Sequence, residues 1–164
     1  MPELEFSLVR LYYPKISITA NTDHDPNDDI TSVSFDTGSV LKHNKDEKRI
    51  HFNYYFKTED PNDSNLPYSL DMHLYSVYDV DPDFSDLPED VRHEVLLDIA
   101  NAAVGSLREV IASTTARAPW GSYFIPITDM DIVVESMYKS YLLGEAKKKK
   151  RASTKKVSPK QKDS

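Results

Sequence analysis

The side chains best suited to chemistry are five scattered histidines and one run of carboxylates. The histidines are His24, His43, His51, His73 and His93. His51 and His73 fall on strand-like segments and could face one another as a metal pair. Hydrogen-bonded or solvated imidazoles are the plainer reading. Asp79, Asp81, Asp83 and Asp90 occupy positions 1, 3, 5 and 12 of a calcium-loop pattern. That loop needs glycine at position 6 for its sharp turn, and the chain has Phe84 there, after a stiff Pro82. A turn leading into a helix is the better reading. The chain has no cysteine, which removes thiolate metal sites, disulfides and a cysteine nucleophile. Its four glycines form no phosphate-binding loop. There is no nucleophile elbow and no His-Glu-x-x-His. The sequon Asn62-Asp63-Ser64 carries meaning only in a secreted chain. These residues predict no catalytic set, no metal and no cofactor, and an enzyme ranks last.

The elements that carry these residues read as one α+β domain. Leu4, Phe6 and Leu8 alternate with polar residues, and the apolar pattern resumes out of phase at Val9 and Leu11. That phase change predicts a bulge near Leu8-Val9. Ile16 and Ile18 continue the strand past Pro14. Further period-two runs are Thr31, Val33, Phe35; Ile50, Phe52, Tyr54, Phe56; and Leu70, Met72, Leu74. Asp25-Pro26-Asn27-Asp28 and Asp60-Pro61-Asn62-Asp63 are matching turn sequences. Four strands joined by turns predict an antiparallel sheet.

A helix is then expected from about Pro88 to Ala116, with proline and acids in its first turn. Its apolar residues cover an arc of roughly 240°, where a helix resting on one sheet needs about 100°. The excess predicts a second surface, another subunit or a ligand groove. Ala103 and Leu107 lie on this arc, beside small residues that permit close helix approach. Arg117-Ala118-Pro119-Trp120-Gly121 breaks the helix. Tyr123 to Ile127 is an extended apolar crossover. A second helix is expected from about Asp129 to Leu143, capped by Thr128 or Asp129.

The 164 residues carry a net charge of −7, but unevenly. Residues 145–164 hold nine basic and two acidic residues, a net +7. Residues 1–144 hold 11 basic and 25 acidic residues, a net −14. The lysine-rich segment 144–164 has almost nothing to bury and is expected to be a disordered tail. Such a tail could tether the chain to RNA, the ribosome or an anionic membrane. No apolar run approaches the ~18 residues of a membrane span. The N-terminus lacks leader character, so a cytoplasmic location is expected.

Four ordered segments resemble the SecB family of bacterial protein-export chaperones. They are Phe6-Ser7-Leu8-Val9-Arg10-Leu11-Tyr12 followed by Ile16, Leu107-Arg108-Glu109-Val110-Ile111 followed by Arg117, Trp120, and Phe124-Ile125-Pro126-Ile127. The resemblance spans about residues 4–143. It implies a four-stranded antiparallel sheet, a long helix, an extended crossover and a short C-terminal helix, in residues 1–143, assembled as a dimer of dimers. It implies an ATP-independent holdase that binds unfolded preproteins as a homotetramer and passes them to the SecA motor. It places the client groove at Thr31, Val33, Phe35, Trp120, Tyr123 and Ile125. It places the dimer–dimer seam at Leu70, Met72 and Leu74, and a motor contact at Asp71. Lys15 and Thr19 depart from the family's acidic motor contacts, and the basic tail departs as well. A paralogue dedicated to a single partner, such as an antitoxin, is the alternative.

Overall fold

The computed structural model describes residues 3–30, 33–58, 65–126 and 129–155. Strands β1 (Glu5–Ala20), β2 (Phe35–Asn44), β3 (Arg49–Thr58) and β4 (Tyr68–Asp81) precede helices α1 (Glu89–Thr115) and α2 (Met130–Lys155). The strands form one antiparallel sheet in the order β1-β4-β3-β2. The α+β plan of a four-stranded sheet, a long helix, a crossover and a second helix is therefore present.

Alternation decides which face is buried. Ile50, Phe52, Tyr54 and Phe56 on β3 and Leu70, Met72, Leu74 and Tyr78 on β4 point to one face and are buried there. Fully burying each such side chain stabilises by about 1.5–3 kcal/mol. The β1 register shifts between Leu8 and Arg10, where the apolar phase changes. It shifts again between Tyr12 and Lys15, around Pro14, which has no N–H to give to the ladder. α1 starts and stops within a residue of expectation, flanked by Pro88 and Ala116. The Asp129 carboxylate accepts from the Asp131 N–H at 3.0 Å and caps α2 as expected.

Four expectations change. First, the second strand runs over Phe35–Asn44, downstream of the Thr31-Val33-Phe35 run. Val33 precedes the strand, and Thr31 lies outside the described residues, as does the Asp60–Asp63 turn. The inward positions of β2 are Phe35, Thr37, Ser39, Leu41 and His43, a half-polar set that hides the alternation. Second, the surface that completes burial of the wide α1 arc is α2 of the same chain, together with the sheet. Third, Leu70, Met72, Leu74, Ala103 and Leu107 are 0, 0, 1, 0 and 0 % exposed, so one chain already buries them. They have no surface left to give to a seam between subunits. Fourth, α2 continues past Leu143 and Gly144 to Lys155. Residues 144–155 are thus helical where an unstructured tail was expected. Lysine and alanine are good helix formers, and cations at a helix C-terminus complement its dipole. Lys148 adds contacts to Glu145 Oε1 and to the His43 carbonyl, each at 2.8 Å.

The two sheet edges differ. α2 covers the β2 edge. The Leu41 N–H donates to Ser140 Oγ at 3.1 Å, Ser39 bonds Ser136 at 2.9 Å, and Lys148 holds the His43 carbonyl. The other edge is β1, which among the described residues pairs with β4 alone. It carries exposed Leu8, Val9, Tyr12 and Ile16.

Candidate client-binding surface

At the end of the sheet where β2 begins, the inner face is covered over β3 and β4 but leaves a gap beside β2. A cavity of about 350 Å³ lies between β2 and the first turns of α2. Phe35, Tyr54, Phe56, Ile132 and Val133 form its apolar wall. The Phe35 and Phe56 rings are 4.6 Å apart. Thr37, Ser39 and Ser136 supply hydroxyls at its polar side. Burial raises the Tyr54 phenol above its ordinary range, so it stays neutral near pH 7. Ile132 is 65 % exposed, although its neighbour Val133 is buried.

The crossover beside this end is pinned by three polar anchors. Tyr68 Oη donates to the Gly121 carbonyl at 2.9 Å and accepts from the Trp120 N–H at 3.1 Å. Trp120 Nε1 donates to the Asn21 carbonyl at 3.0 Å. Thr115 Oγ1 accepts from the Tyr123 N–H at 2.8 Å. Gly121 has φ +76°, a left-handed conformation that glycine adopts without strain. These anchors leave Trp120 partly exposed against the edge of His24, and leave Phe124 65 % exposed.

The expected groove residues that are described separate into three sets. Phe35 lines the cavity; Val33 is half-buried just before β2. Trp120 and Tyr123 belong to the crossover, and Tyr123 packs 6.1 Å from the Tyr68 ring. Ile125 is 2 % exposed and is core. Ile132 and Phe124 are exposed apolar residues outside the expected groove set, and the buried Tyr54 and Phe56 back the cavity from the core. Tyr54 and Phe56 were legible as strand residues, but nothing in their alternation marks a gap above them.

The other singled-out residues have ordinary partners. Asp79 bonds Arg49 at 2.7 Å, Asp81 bonds Lys48 at 2.9 Å and Asp83 bonds His43 at 2.9 Å. Three of the four calcium-like carboxylates are thus each committed to a different side chain. His51 and His73 share the outer sheet face but sit in different rows, opposite Val77 and Tyr55. Asp71 is ion-paired to Lys15. That hydrogen bond holds the Asp71 carboxyl below the usual range.

No family model matches the sequence, and no curated protein matches it. Solved structures do. The SecB-like chaperone Rv1957 of Mycobacterium tuberculosis, in complex with a ChAD peptide from the Rv1956 HigA1 antitoxin, aligns with a TM-score of 0.50 at 10 % identity. The alignment covers 76 % of this chain and 91 % of that one. A protein of unknown function from Streptococcus agalactiae aligns with a TM-score of 0.45 at 9 % identity, covering 76 % and 99 %. Together with the observed order of strands and helices, the first of these likenesses shows that the chain has a SecB-like fold.

Proposed function

We propose that the chain is an ATP-independent holdase for extended, unfolded polypeptide segments. The observation that carries this reading is the apolar cavity between β2 and α2 with exposed Ile132 in its wall, and the crossover separately leaves Phe124 and Trp120 exposed. A folded chain gains nothing by leaving large apolar side chains beside a cavity, and such surfaces mark binding sites. The −14 charge on residues 1–144 favours clients of net positive charge. Each contact is weak, and an extended client that engages several gains avidity.

The β1 edge, left uncovered among the described residues, supports assembly. Unpaired backbone beside Leu8, Val9, Tyr12 and Ile16 is a template for a second copy of the strand. Ala102 and Gly105 on the exposed face of α1 permit a second, close helix contact, giving a dimer of dimers. Cytoplasmic export through SecA is the weaker branch of the proposal, because Asp71 is already engaged by Lys15.

Suppression of light scattering by a slow-folding client, without ATP, tests the holdase. Suppression at stoichiometric ratios is expected, and unchanged scattering overturns it. Service to one dedicated partner, such as an antitoxin, is the second reading. It is favoured by the antitoxin peptide held by the Mycobacterium structure. It predicts one tight partner and no effect on generic clients.

A further inference from the structure

The outer face of the sheet, opposite the helices, differs in charge and composition from the rest of residues 1–144. The ladder places Tyr12, Tyr75, Asn53 and Val40 in one row across the four strands. The next row is Arg10, Val77, His51 and Lys42. On the other side lies Lys15, His73, Tyr55 and Gly38. Tyr12 is 47 % exposed and Tyr55 39 %. The Tyr55 ring lies across Gly38, with Cε1 only 2.1 Å from where a β-carbon would sit, so it rests along the sheet, with the His73 ring 6.3 Å from it. Tyr12 and Tyr75 have centroids 5.2 Å apart, and the Arg10 guanidinium sits about 6 Å from both rings (6.0 and 5.9 Å). His51 Nδ1 bonds Tyr75 Oη at 2.6 Å, which steadies the ring.

Charge follows the same division. Five of the 11 basic residues of segment 1–144 (Arg10, Lys15, Lys42, Arg49, Lys57) project from this face, with five of its 25 acidic residues (Glu5, Asp36, Asp71, Asp79, Asp81), so the face is neutral while the rest of the segment carries the −14. Around the β2 edge, a cavity of about 400 Å³ joins the face to the basic end of α2. Its lining includes His51, Asn53 and Tyr75 from the face and Lys148 from the helix. Beyond it Lys147, Lys149 and Arg151 are exposed. From Gly144 to Lys155 the helix has no large apolar residue, so it offers nothing to the interior of a membrane.

We infer that this face and the basic end of α2 form one binding surface for single-stranded RNA. Exposed aromatic rings on a sheet stack bases, and flanking cations follow the phosphates. Tyr12, Tyr75 and Tyr55 are the stacking platform. Arg10, Lys42 and the α2 cations carry the backbone. The surface lies on the opposite side of the sheet from the client cavity, so it does not depend on the holdase reading.

The test is fluorescence anisotropy of a labelled RNA of about 16 nucleotides, the upper site size of OB-fold single-strand binders, titrated with the full chain at several salt concentrations. Saturable binding is expected at low salt. Tyr75→Ala should weaken it roughly 5- to 150-fold, the loss typical of one stacked base, whereas Tyr75→Phe keeps the ring and should bind as wild type. Neutralising Lys147, Lys149 and Arg151 together to Gln should flatten the log–log salt slope by about 2, at about 0.7 per phosphate contact on a single strand. Arg10→Gln, at an exposed position, serves if Tyr75→Ala does not fold, and it should also weaken binding. The inference is overturned if the RNA does not bind, or if the folded ring and Arg10 variants bind as wild type. Preferential binding of an acidic peptide or of phosphatidylserine vesicles also overturns it. Aggregation suppression should be unchanged in every variant, so a failed holdase assay and a failed RNA assay are separate results.

Discussion

Ile132 and Val133 are neighbours on α2 with opposite surroundings, and that contrast gives a sharp prediction. Ile132 lines the cavity and is 65 % exposed, whereas Val133 is 6 % exposed. Full burial of an isoleucine side chain stabilises by about 1.5–3 kcal/mol. A client that covers the exposed two-thirds of Ile132 therefore gains about 1–2 kcal/mol from it. Ile132→Ser should weaken client affinity about 5- to 30-fold, since 1.4 kcal/mol is tenfold. It should change folding stability by no more than about 0.5 kcal/mol, as surface substitutions do. Val133→Ala should behave in the opposite way. It removes buried methyl groups and should cost about 1–3 kcal/mol of stability, and because little of its side chain is exposed in the cavity wall it should lower client affinity of the folded fraction less than Ile132→Ser does. Anisotropy of a labelled unfolded client, paired with urea denaturation of each variant, reads both quantities. If Ile132→Ser leaves affinity unchanged, or destabilises as much as Val133→Ala, the cavity is not a binding wall and the reasoning fails.

Other consequences follow from the edges and the buried pair. Ser140→Val leaves the Leu41 N–H without its acceptor, so urea denaturation should show a loss of about 1–3 kcal/mol. Ile16→Lys, or Val9→Lys, on the β1 edge should shift the mass measured by light scattering toward the monomer, with little change in helix content. Burial raises the Asp83 carboxyl, but its hydrogen bonds from Ser85 and the nearby His43 outweigh this and hold it below the usual range. Its folded value is depressed, so its contribution to stability is present above an unfolded value of about 3.9 and is lost as pH falls through the folded one. Asp83→Asn should therefore lower the thermal midpoint at neutral pH and flatten its fall on acidification. Gly38→Ala must displace the Tyr55 ring. The Gly38→Ala and Tyr55→Ala changes should then be non-additive in a double-mutant cycle, by about 0.5–3 kcal/mol.

How much of this was legible depends on which neighbours each segment faces. β3 and β4 alternate because one face meets the apolar core, and their strands were readable from Phe52, Tyr54 and Phe56 or from Leu70, Met72 and Leu74. α1 was readable because Pro88 and the acids Glu89 and Asp90 mark its start. β2 was not, because its inner face meets α2 through Ser39–Ser136 and Leu41–Ser140 contacts, so hydroxyls replace apolar residues there. The extension of α2 was hidden for a related reason: its lysines have no apolar period, and the helix is held by propensity, the dipole and Lys148. The wide apolar arc of α1 was read correctly as two-sided. Sequence alone could not show that the second partner is α2 rather than another subunit. The cavity depends on the gap left above Phe35, Tyr54 and Phe56, which alternation does not encode. Ile132 and Phe124 differ from core residues only in exposure, and exposure is set by the path of the crossover.

The central claim is that unfolded chains bind in the cavity between β2 and α2. Methyl-resolved NMR of the full chain, titrated with one client in its unfolded and then its folded form, tests it most directly. The Ile132 methyl resonance should shift with the unfolded client and stay in place with the folded one. An unmoved Ile132 in the presence of a bound, unfolded client would contradict the claim.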